Sequence, residues 1–308
     1  MKIGLVVIGL GGISLEYDLQ STLSKVGNRE SHIKSILDHD NFLLLAGVDL
    51  REISRQQLIG NFGIPAYPTL ESIPKNILAE AEAFIVATPT PTHFQILNEI
   101  SKVRKNPWIL CEKPMGDSLS AAIKVSGILD IDRILVNYTR KFSSDIKLCE
   151  KSFKTFLNER GGNSLEITCE IFGGTLRTGS HFIDLLNSWF PNNFSEVNFE
   201  KLHNGASDSF SVLMNFGRQK VLYTGANSQG GESYGILKVE DGLDSIIYIR
   251  DQLIVKQNSD VNKYQIRASQ SQTLEAFKTL ITSDGSVNNS NYENAVKVHR
   301  IIDSISSL

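Results

Sequence analysis

The sequence predicts an α/β fold in two parts, a doubly wound parallel sheet followed by an α+β domain with a large, mostly antiparallel open sheet. Three observations predict it. Up to residue 137, short apolar runs alternate with helical segments, as in parallel sheets that are covered by helices on both faces. A glycine-rich loop directly follows the first apolar run. Beyond about residue 140, several segments alternate in polarity, as antiparallel strands do.

The first domain is expected to span residues 1–137. Its predicted strands are nearly continuous apolar runs, and they cover residues 2–8, 42–48, 83–87, 108–111 and 133–137. Helical patterns lie between them, at 51–61, 91–104 and 118–130. Ser118 is a suitable N-cap for the last of these helices.

The second domain is expected to span residues 138–308, and its last helices are free to pack back on the first domain. A helix over 144–158 leads to a strand over 164–172 and then to a helix that His181 opens. Alternating segments follow at 208–216, 219–226, 235–241, 244–250 and 252–257. Two helices, over 271–283 and 291–306, end the chain.

Composition excludes several classes of function. The 308 residues are 21% charged with a net charge of −3, so no basic surface indicates a nucleic-acid partner. No window approaches the roughly 20 apolar residues of a membrane span, and the apolar N-terminus reads as a strand rather than a signal peptide. The cysteines, Cys111, Cys149 and Cys169, are odd in number and widely spaced. We therefore expect no disulfide framework, no metal and a cytoplasmic location.

The loop Gly9-Leu-Gly11-Gly12-Ile13-Ser14 predicts a dinucleotide site in a Rossmann-type sheet. The first glycine permits a tight turn, the second lets the backbone approach a pyrophosphate, and the helix that follows offers free N–H groups. Ser14 occupies the third position, where glycine is usual. A purely structural turn is the alternative.

Asp49, at the end of the next strand, is the expected ribose ligand. Its carboxylate can accept hydrogen bonds from adenosine ribose hydroxyls, which favours NAD. Arg51 is close enough to hold a 2′-phosphate, so NADP stays open, and a helix N-cap role for Asp49 fits both cofactors. Thr88, Pro89 and His93 follow the strand over 83–87 and are expected either to contact the cofactor or to cap a helix.

Two further motifs lie about 65 residues apart, Glu112-Lys113-Pro114 after a strand and Gly179-Ser180-His181-Phe182-Ile183-Asp184 at a helix start. A lysine and a histidine so placed could hold one hydroxyl between them. With a dinucleotide present, a hydride acceptor would lie on one side and a proton acceptor on the other. The alternatives are a surface lysine and a core histidine.

These motifs occur in one order along essentially the whole chain, and together they resemble the glucose–fructose oxidoreductase/inositol dehydrogenase/MocA (Gfo/Idh/MocA) family. The resemblance implies that Lys113 reaches the substrate hydroxyl and the nicotinamide, that His181 takes or gives the proton, and that Glu112 lies with Lys113 at the cofactor. Three segments are similar to a branch whose members often act in sugar pathways of surface polysaccharides: Gly12-Ile13-Ser14, Ser31-His32 and Asn137-Tyr138-Thr139-Arg140.

One position departs from the family pattern. Many members have Asp or Asn four residues before the histidine, whereas this chain has Arg177. A guanidinium there could bind a carboxylate or phosphate, as on a uronic acid or nucleotide sugar, or it could be a solvated cation. Asp184, Tyr138 and Arg140 are further candidates for substrate contact, with packing or solvation as their alternatives.

The expected function is therefore an NAD(P)-dependent oxidoreductase that moves hydride between nicotinamide and a secondary alcohol of a sugar or sugar derivative. Two alternatives stay open: a glycosidase of the same fold that uses NAD transiently, and a non-catalytic sensor of dinucleotide or sugar. The resemblance also implies a homodimer or homotetramer that forms through the C-terminal sheet.

Overall fold

The computed structural model describes residues 2–19, 30–160, 165–190, 199–204, 209–216, 219–226, 233–283 and 290–307. The chain forms two compact units, one of residues 1–139 and 269–296, the other of residues 140–268 and 297–308. The expected division, 1–137 and 138–308, placed both last helices in the second domain. In the structure, residues 269–296 belong to the first unit and residues 297–308 to the second.

The first unit is built on a six-stranded parallel sheet with the order β3-β2-β1-β4-β5-β6. The strands are β1 (Ile3–Ile8), β2 (Phe42–Val48), β3 (Ala66–Tyr67), β4 (Ala83–Val86), β5 (Trp108–Glu112) and β6 (Ile134–Asn137). Strands β1, β4, β5 and β6 are almost wholly buried, because helices cover both faces. The predicted doubly wound sheet is confirmed.

Helices connect these strands. They are α1 (Tyr17–Leu19), α2 (His32–Leu37), α3 (Glu52–Phe62), α4 (Lys75–Glu80), α5 (His93–Val103) and α6 (Leu119–Lys124). The predicted helix 118–130 is shorter than expected, because the chain passes into a 3₁₀ turn at Val125–Gly127. Ser118 caps α6, and its hydroxyl accepts a hydrogen bond from the N–H of Ala121.

The second unit is built on an eight-stranded sheet. After α7 (Thr139–Phe142) and α8 (Ser144–Glu159) come β7 (Glu166–Phe172), α9 (Ser180–Trp189) and the strands β8 (Phe199–Asn204), β9 (Ser209–Phe216), β10 (Gln219–Ala226), β11 (Tyr234–Asp241), β12 (Asp244–Ile249), β13 (Gln252–Gln257) and β14 (Asp260–Gln265). The order is β14-β13-β12-β11-β7-β10-β9-β8, and all pairs are antiparallel except β7 with β10. The predicted mostly antiparallel sheet is confirmed; positions 164 and 208 of its predicted strands lie outside the described residues.

Successive side chains of each strand point to opposite faces of this sheet, and the two faces differ in burial. One face is buried beneath α8 and α9, where Trp189 packs against Phe153 and Tyr248 at ring distances of 4.8 and 6.2 Å. The opposite face carries partly exposed apolar side chains. Phe172 and Tyr234 stack there at 4.6 Å.

Two helices complete the chain, α10 (Gln270–Thr282) and α11 (Ser290–Ser306). Within the first unit, α10 packs against α2 and lies beside β6, so its N-terminal turn reaches the carboxyl end of the parallel sheet. No helix among the described residues is both long and apolar enough to cross a bilayer.

Candidate active site

The glycine-rich loop turns tightly between β1 and the first helical turn. Gly9 has φ +94°, and a Cβ added there would lie 2.6 Å from the carbonyl carbon and oxygen of Ala87. Only glycine adopts this conformation without strain. Its N–H donates to the carbonyl of Val48 at 2.8 Å. The fold itself therefore requires glycine at this position.

Gly11 is different, because nothing in the fold demands it. Its backbone is extended, with φ −84° and ψ −161°, and an added Cβ would find only the Nη2 of Arg51, at 3.7 Å. The open space beside this backbone suits the close approach of a pyrophosphate.

The helical turn Gly12–Glu16 begins directly after Gly11 and offers donors toward the same space. The N–H groups of Ser14, Leu15 and Glu16 donate back to the carbonyl of Gly11. Those of Gly12 and Ile13 donate to no described residue, as is usual for the first N–H groups of a helical turn. Ser14 is fully buried, and its Oγ has no hydrogen-bond partner in the described structure. These residues fit a dinucleotide phosphate group.

Asp49 fastens the loop to the end of β2. Its Oδ2 accepts from the N–H of Leu10 at 2.8 Å, and its Oδ1 accepts from the N–H of Arg51 at 2.8 Å. The Arg51 side chain also reaches Asp49 and Glu16, at 3.3 Å each, and the Asp49 hydrogen bond raises the pKa of that guanidinium. The carboxylate thus organises the loop. Arg51 lies over Gly11, where the adenosine part of a cofactor would bind.

His93 joins two loops at the carboxyl end of the sheet. Its Nε2 lies 2.8 Å from the carbonyl oxygen of Thr88, and its Nδ1 lies 3.0 Å from that of Pro114. The side chain is buried, and burial lowers its pKa. For His93 the sequence leaves cofactor contact and helix capping open, and in the structure the ring ties the loop after β4 to the loop after β5. Thr88 and Pro89 remain partly or fully exposed in the first of these loops.

Glu112, for which the family resemblance implies a place at the cofactor, is held by buried hydrogen bonds. It is only 7% exposed, and its Oε1 accepts from the Nε2 of His32 at 2.8 Å and from the Nδ2 of Asn137 at 2.6 Å. Lys113 follows it, partly exposed, and the Lys113–Pro114 peptide bond is cis. The sequence singled out His32 and Asn137 by family likeness but gave neither residue a role.

In the second unit, α9 brings His181 and Asp184 onto one helical face. A short helical turn, Thr175–Gly179, leads into it, and a Cβ on Gly179 would collide with the hydroxyl of Tyr223 at 2.3 Å. Glycine therefore lets this turn rest on the sheet. His181 is partly exposed, whereas Asp184 is 1% exposed, with the Nζ of Lys141 at 4.0 Å from its Oδ1.

The remaining candidates separate by exposure. Arg177 is exposed in the turn before α9. The Nε of Arg140 donates to the hydroxyl of Tyr248 at 3.1 Å, and its guanidinium lies 5.7 Å from the ring of Phe182. Tyr138 is fully buried, which favours packing over the substrate contact that the sequence left open. No group of metal-ligating side chains occurs among the described residues.

Comparisons with known proteins agree with this architecture. Residues 3–130 match the model of a family described as GFO_IDH_MocA, oxidoreductase family, NAD-binding Rossmann fold. The resemblance predicted from the motifs is confirmed, as is the predicted cofactor, NAD with NADP possible. No curated protein matches the chain.

Solved structures match it over its whole length. The 3-ketoreductase KijD10 from Actinomadura kijaniata, in complex with NADP, is 13% identical, with a TM-score of 0.74 and coverage of 100% of this chain and 97% of that one. The open conformation of KijD10, in complex with TDP-benzene and NADP, is 13% identical, with a TM-score of 0.73 and coverage of 100% of this chain and 98% of that one. The dehydrogenase MviM from Clostridium difficile is 13% identical, with a TM-score of 0.69 and coverage of 100% of this chain and 99% of that one. At this identity the likeness shows the fold.

Gly11→Ala is expected to weaken NAD binding about tenfold or more, which corresponds to about 1.4 kcal/mol, and to leave the melting temperature of the free protein almost unchanged. The reason is that an added methyl group meets open space in the fold but blocks the approach of a pyrophosphate. Calorimetric titration with NAD and thermal melts measure both effects. Gly60→Ala, in α3 with nothing within 4 Å of the new Cβ, is the control. Wild-type affinity in Gly11→Ala would contradict the assigned phosphate position.

The lowered pKa of His93 makes folding sensitive to acid. Below the unfolded value of ~6.5 the unfolded chain binds a proton that the folded chain resists, so stability is full above that pH and falls as the pH drops through it. His93→Asn can still donate to the Pro114 carbonyl but cannot titrate. We expect it to be less stable at pH ~8 by about 1–3 kcal/mol yet to lose less stability between pH ~7 and ~5.

Denaturant unfolding across this pH range checks the His93 prediction. His39→Asn, at a histidine of the same unit that contacts Glu275, is the matched control. An acid dependence in His93→Asn as steep as that of the wild type would rule out His93 as its source.

Proposed function

We propose that the chain, whose residues 3–130 match the model of the Gfo/Idh/MocA family of NAD-binding oxidoreductases, oxidises or reduces a secondary alcohol of a sugar or sugar derivative. The observation that carries the proposal is the fixed setting of Lys113. On one side Glu112 is bound by His32 and Asn137, and on the other the carbonyl of Pro114 is bound by His93.

Lys113 is the proposed electrostatic catalyst. An ammonium that leaves the carboxyl end of β5 lies at the edge of the sheet where ligands bind in doubly wound folds. It would donate a hydrogen bond to the reacting oxygen and stabilise the negative charge that develops there. Nicotinamide, when bound, supplies the hydride acceptor or donor.

His181 is the proposed acid and base. Imidazole has an ordinary pKa of ~6.5 and exchanges protons readily at neutral pH. Asp184 follows one turn later on the same face of α9 and is buried, and Lys141 balances its charge. We propose that this carboxylate orients the imidazole or the substrate.

An acidic sugar is the substrate class that Arg177 favours. The side chain is exposed in the turn that leads into the His181 helix, and a guanidinium binds carboxylates and phosphates in a bidentate manner. KijD10, which shares the fold, was crystallised with a TDP derivative. We therefore propose a uronic acid or a nucleotide sugar, with NAD as cofactor; Arg51, over the loop, keeps NADP within reach.

A panel of free sugars, uronic acids and nucleotide sugars with NAD, followed by the absorbance of reduced nicotinamide, tests the reaction. We expect turnover with an acidic member of the panel.

In Lys113→Met, kcat should fall about 100-fold or more while NAD affinity is kept, because the lost charge acts on the transition state. Lys124→Met, at an exposed lysine of α6, is the control. Undiminished turnover in Lys113→Met, or net hydrolysis without an absorbance change, would overturn the proposal.

We also propose that the open face of the second sheet forms a contact between copies of the chain. Its apolar side chains continue across neighbouring strands, where Ile247 pairs with Ile254 and Ile236 with Ile249, and all four are partly exposed. Ile254→Lys should shift the protein toward smaller species in sedimentation velocity, since a charge would be buried. Leu243→Lys, 97% exposed in the hairpin turn, should not. A monomeric wild type would disprove the contact.

A further inference from the structure

A continuous buried polar network lies at the carboxyl ends of β5 and β6. It consists of His32, Glu112, Asn137, Gln270 and Thr273, and we call it the Glu112 network. All five residues are at most 7% exposed. They come from α2, β5, β6 and α10, which are elements of the first unit. Proposed catalysis uses none of them, although Glu112 directly precedes Lys113.

The hydrogen bonds of the network determine how the amide of Asn137 and the imidazole of His32 are oriented. The Nδ2 of Asn137 donates to Glu112 at 2.6 Å and to the Oε1 of Gln270 at 2.9 Å, and its Oδ1 accepts from Thr139 at 3.1 Å and Thr273 at 3.0 Å. An ionised carboxylate only accepts, so the amide orientation of Asn137 is settled. For the same reason the Nε2 of His32 carries the hydrogen that it shares with Glu112.

Glu112 is a buried anion because of the groups around it. Burial raises the pKa of its carboxyl, but the hydrogen bonds from His32 and Asn137 and the charge of Lys113 outweigh it and hold that pKa below its ordinary value. A buried charge of this kind is strongly disfavoured unless it is paired and hydrogen-bonded. The donors around Oε1 make the anion stable at neutral pH.

We propose that Glu112 is a positioning residue, in which a carboxylate locked by His32 and Asn137 keeps the neighbouring Lys113 ammonium charged and in place for the reaction. The inference rests on the proposed function of Lys113. Glu112 and Asn137 face each other in the β5–β6 register, so the network pins the end of the strand from which Lys113 leaves. An opposite charge nearby favours the charged form of an amine.

The groups that face Glu112 are few. His32 bonds it from α2, Asn137 from β6, and Gln270 and Thr273 of α10 act through Asn137. Lys113 lies on the same strand end, Cys111 precedes it, and buried His93 of α5 interacts with it electrostatically. Of these, Lys113 is the group that meets the substrate in the proposed reaction.

Glu112→Gln tests the inference, because the amide oxygen can still accept from His32 and Asn137 while the charge is removed. We expect kcat to fall about tenfold, the basic limb of its pH profile to move down by about one unit, and NAD affinity to stay near that of the wild type. Glu82→Gln, at an exposed glutamate of the same unit, should leave the profile unchanged.

Glu112→Asp completes the design, since it keeps the charge and shortens the reach. We expect the kcat of Glu112→Asp to fall while the basic limb of its pH profile stays where the wild type has it. This variant alone tests the inference if Glu112→Gln does not fold. A basic limb that is unmoved in Glu112→Gln, or one that moves in Glu112→Asp, overturns the positioning role. An inactive wild type would instead overturn the proposed function, so the two failures are distinct.

Discussion

A negative charge inside the first unit governs the arrangement of the candidate site. Glu112 stays ionised because two side chains from different elements donate to one of its oxygens, and removal of either donor would leave the buried charge with one hydrogen bond fewer. The carboxylate thereby links α2, β5 and β6, and through Asn137 it also links α10. This explains why a helix from the end of the chain belongs to the first unit: its N-terminal turn completes the hydrogen bonding of a strand that lies about 130 residues earlier.

The same end of the sheet is held a second time by His93. A neutral imidazole has one N–H, yet two carbonyl oxygens lie within hydrogen-bond distance of the ring, so only one of them receives a full hydrogen bond at a time. Burial keeps the ring neutral. Lys113 thus lies between Glu112, an ionised residue held by hydrogen bonds, and Pro114, whose carbonyl contacts the neutral imidazole of His93. This combination suits a lysine whose charge and position both matter in the proposed reaction.

The second unit supports its own candidates in another way. There α9 rests on the covered face of a broad sheet through aromatic packing around Trp189, and its N-terminal turn approaches Tyr223 closely at Gly179. His181 stays partly exposed at that turn, while Asp184 is buried with Lys141 nearby. A rigid scaffold beneath a partly exposed imidazole is a typical setting for an acid–base residue.

Local pattern by itself determined the fold class, the glycine loop, the Glu112-Lys113-Pro114 strand end and the His181 helix, since apolar runs and turn residues are short-range signals. It missed β3, β8 and β14. Of these, β3 has only two residues and β14 is an exposed edge strand, so neither forms an apolar run. Tertiary structure alone decided the roles of Glu112 and His93 and joined His32, Asn137 and Gln270, because these contacts connect residues 21 to 133 positions apart. No periodicity along the chain records which buried charge meets which donor, and that pairing is set only when the elements pack.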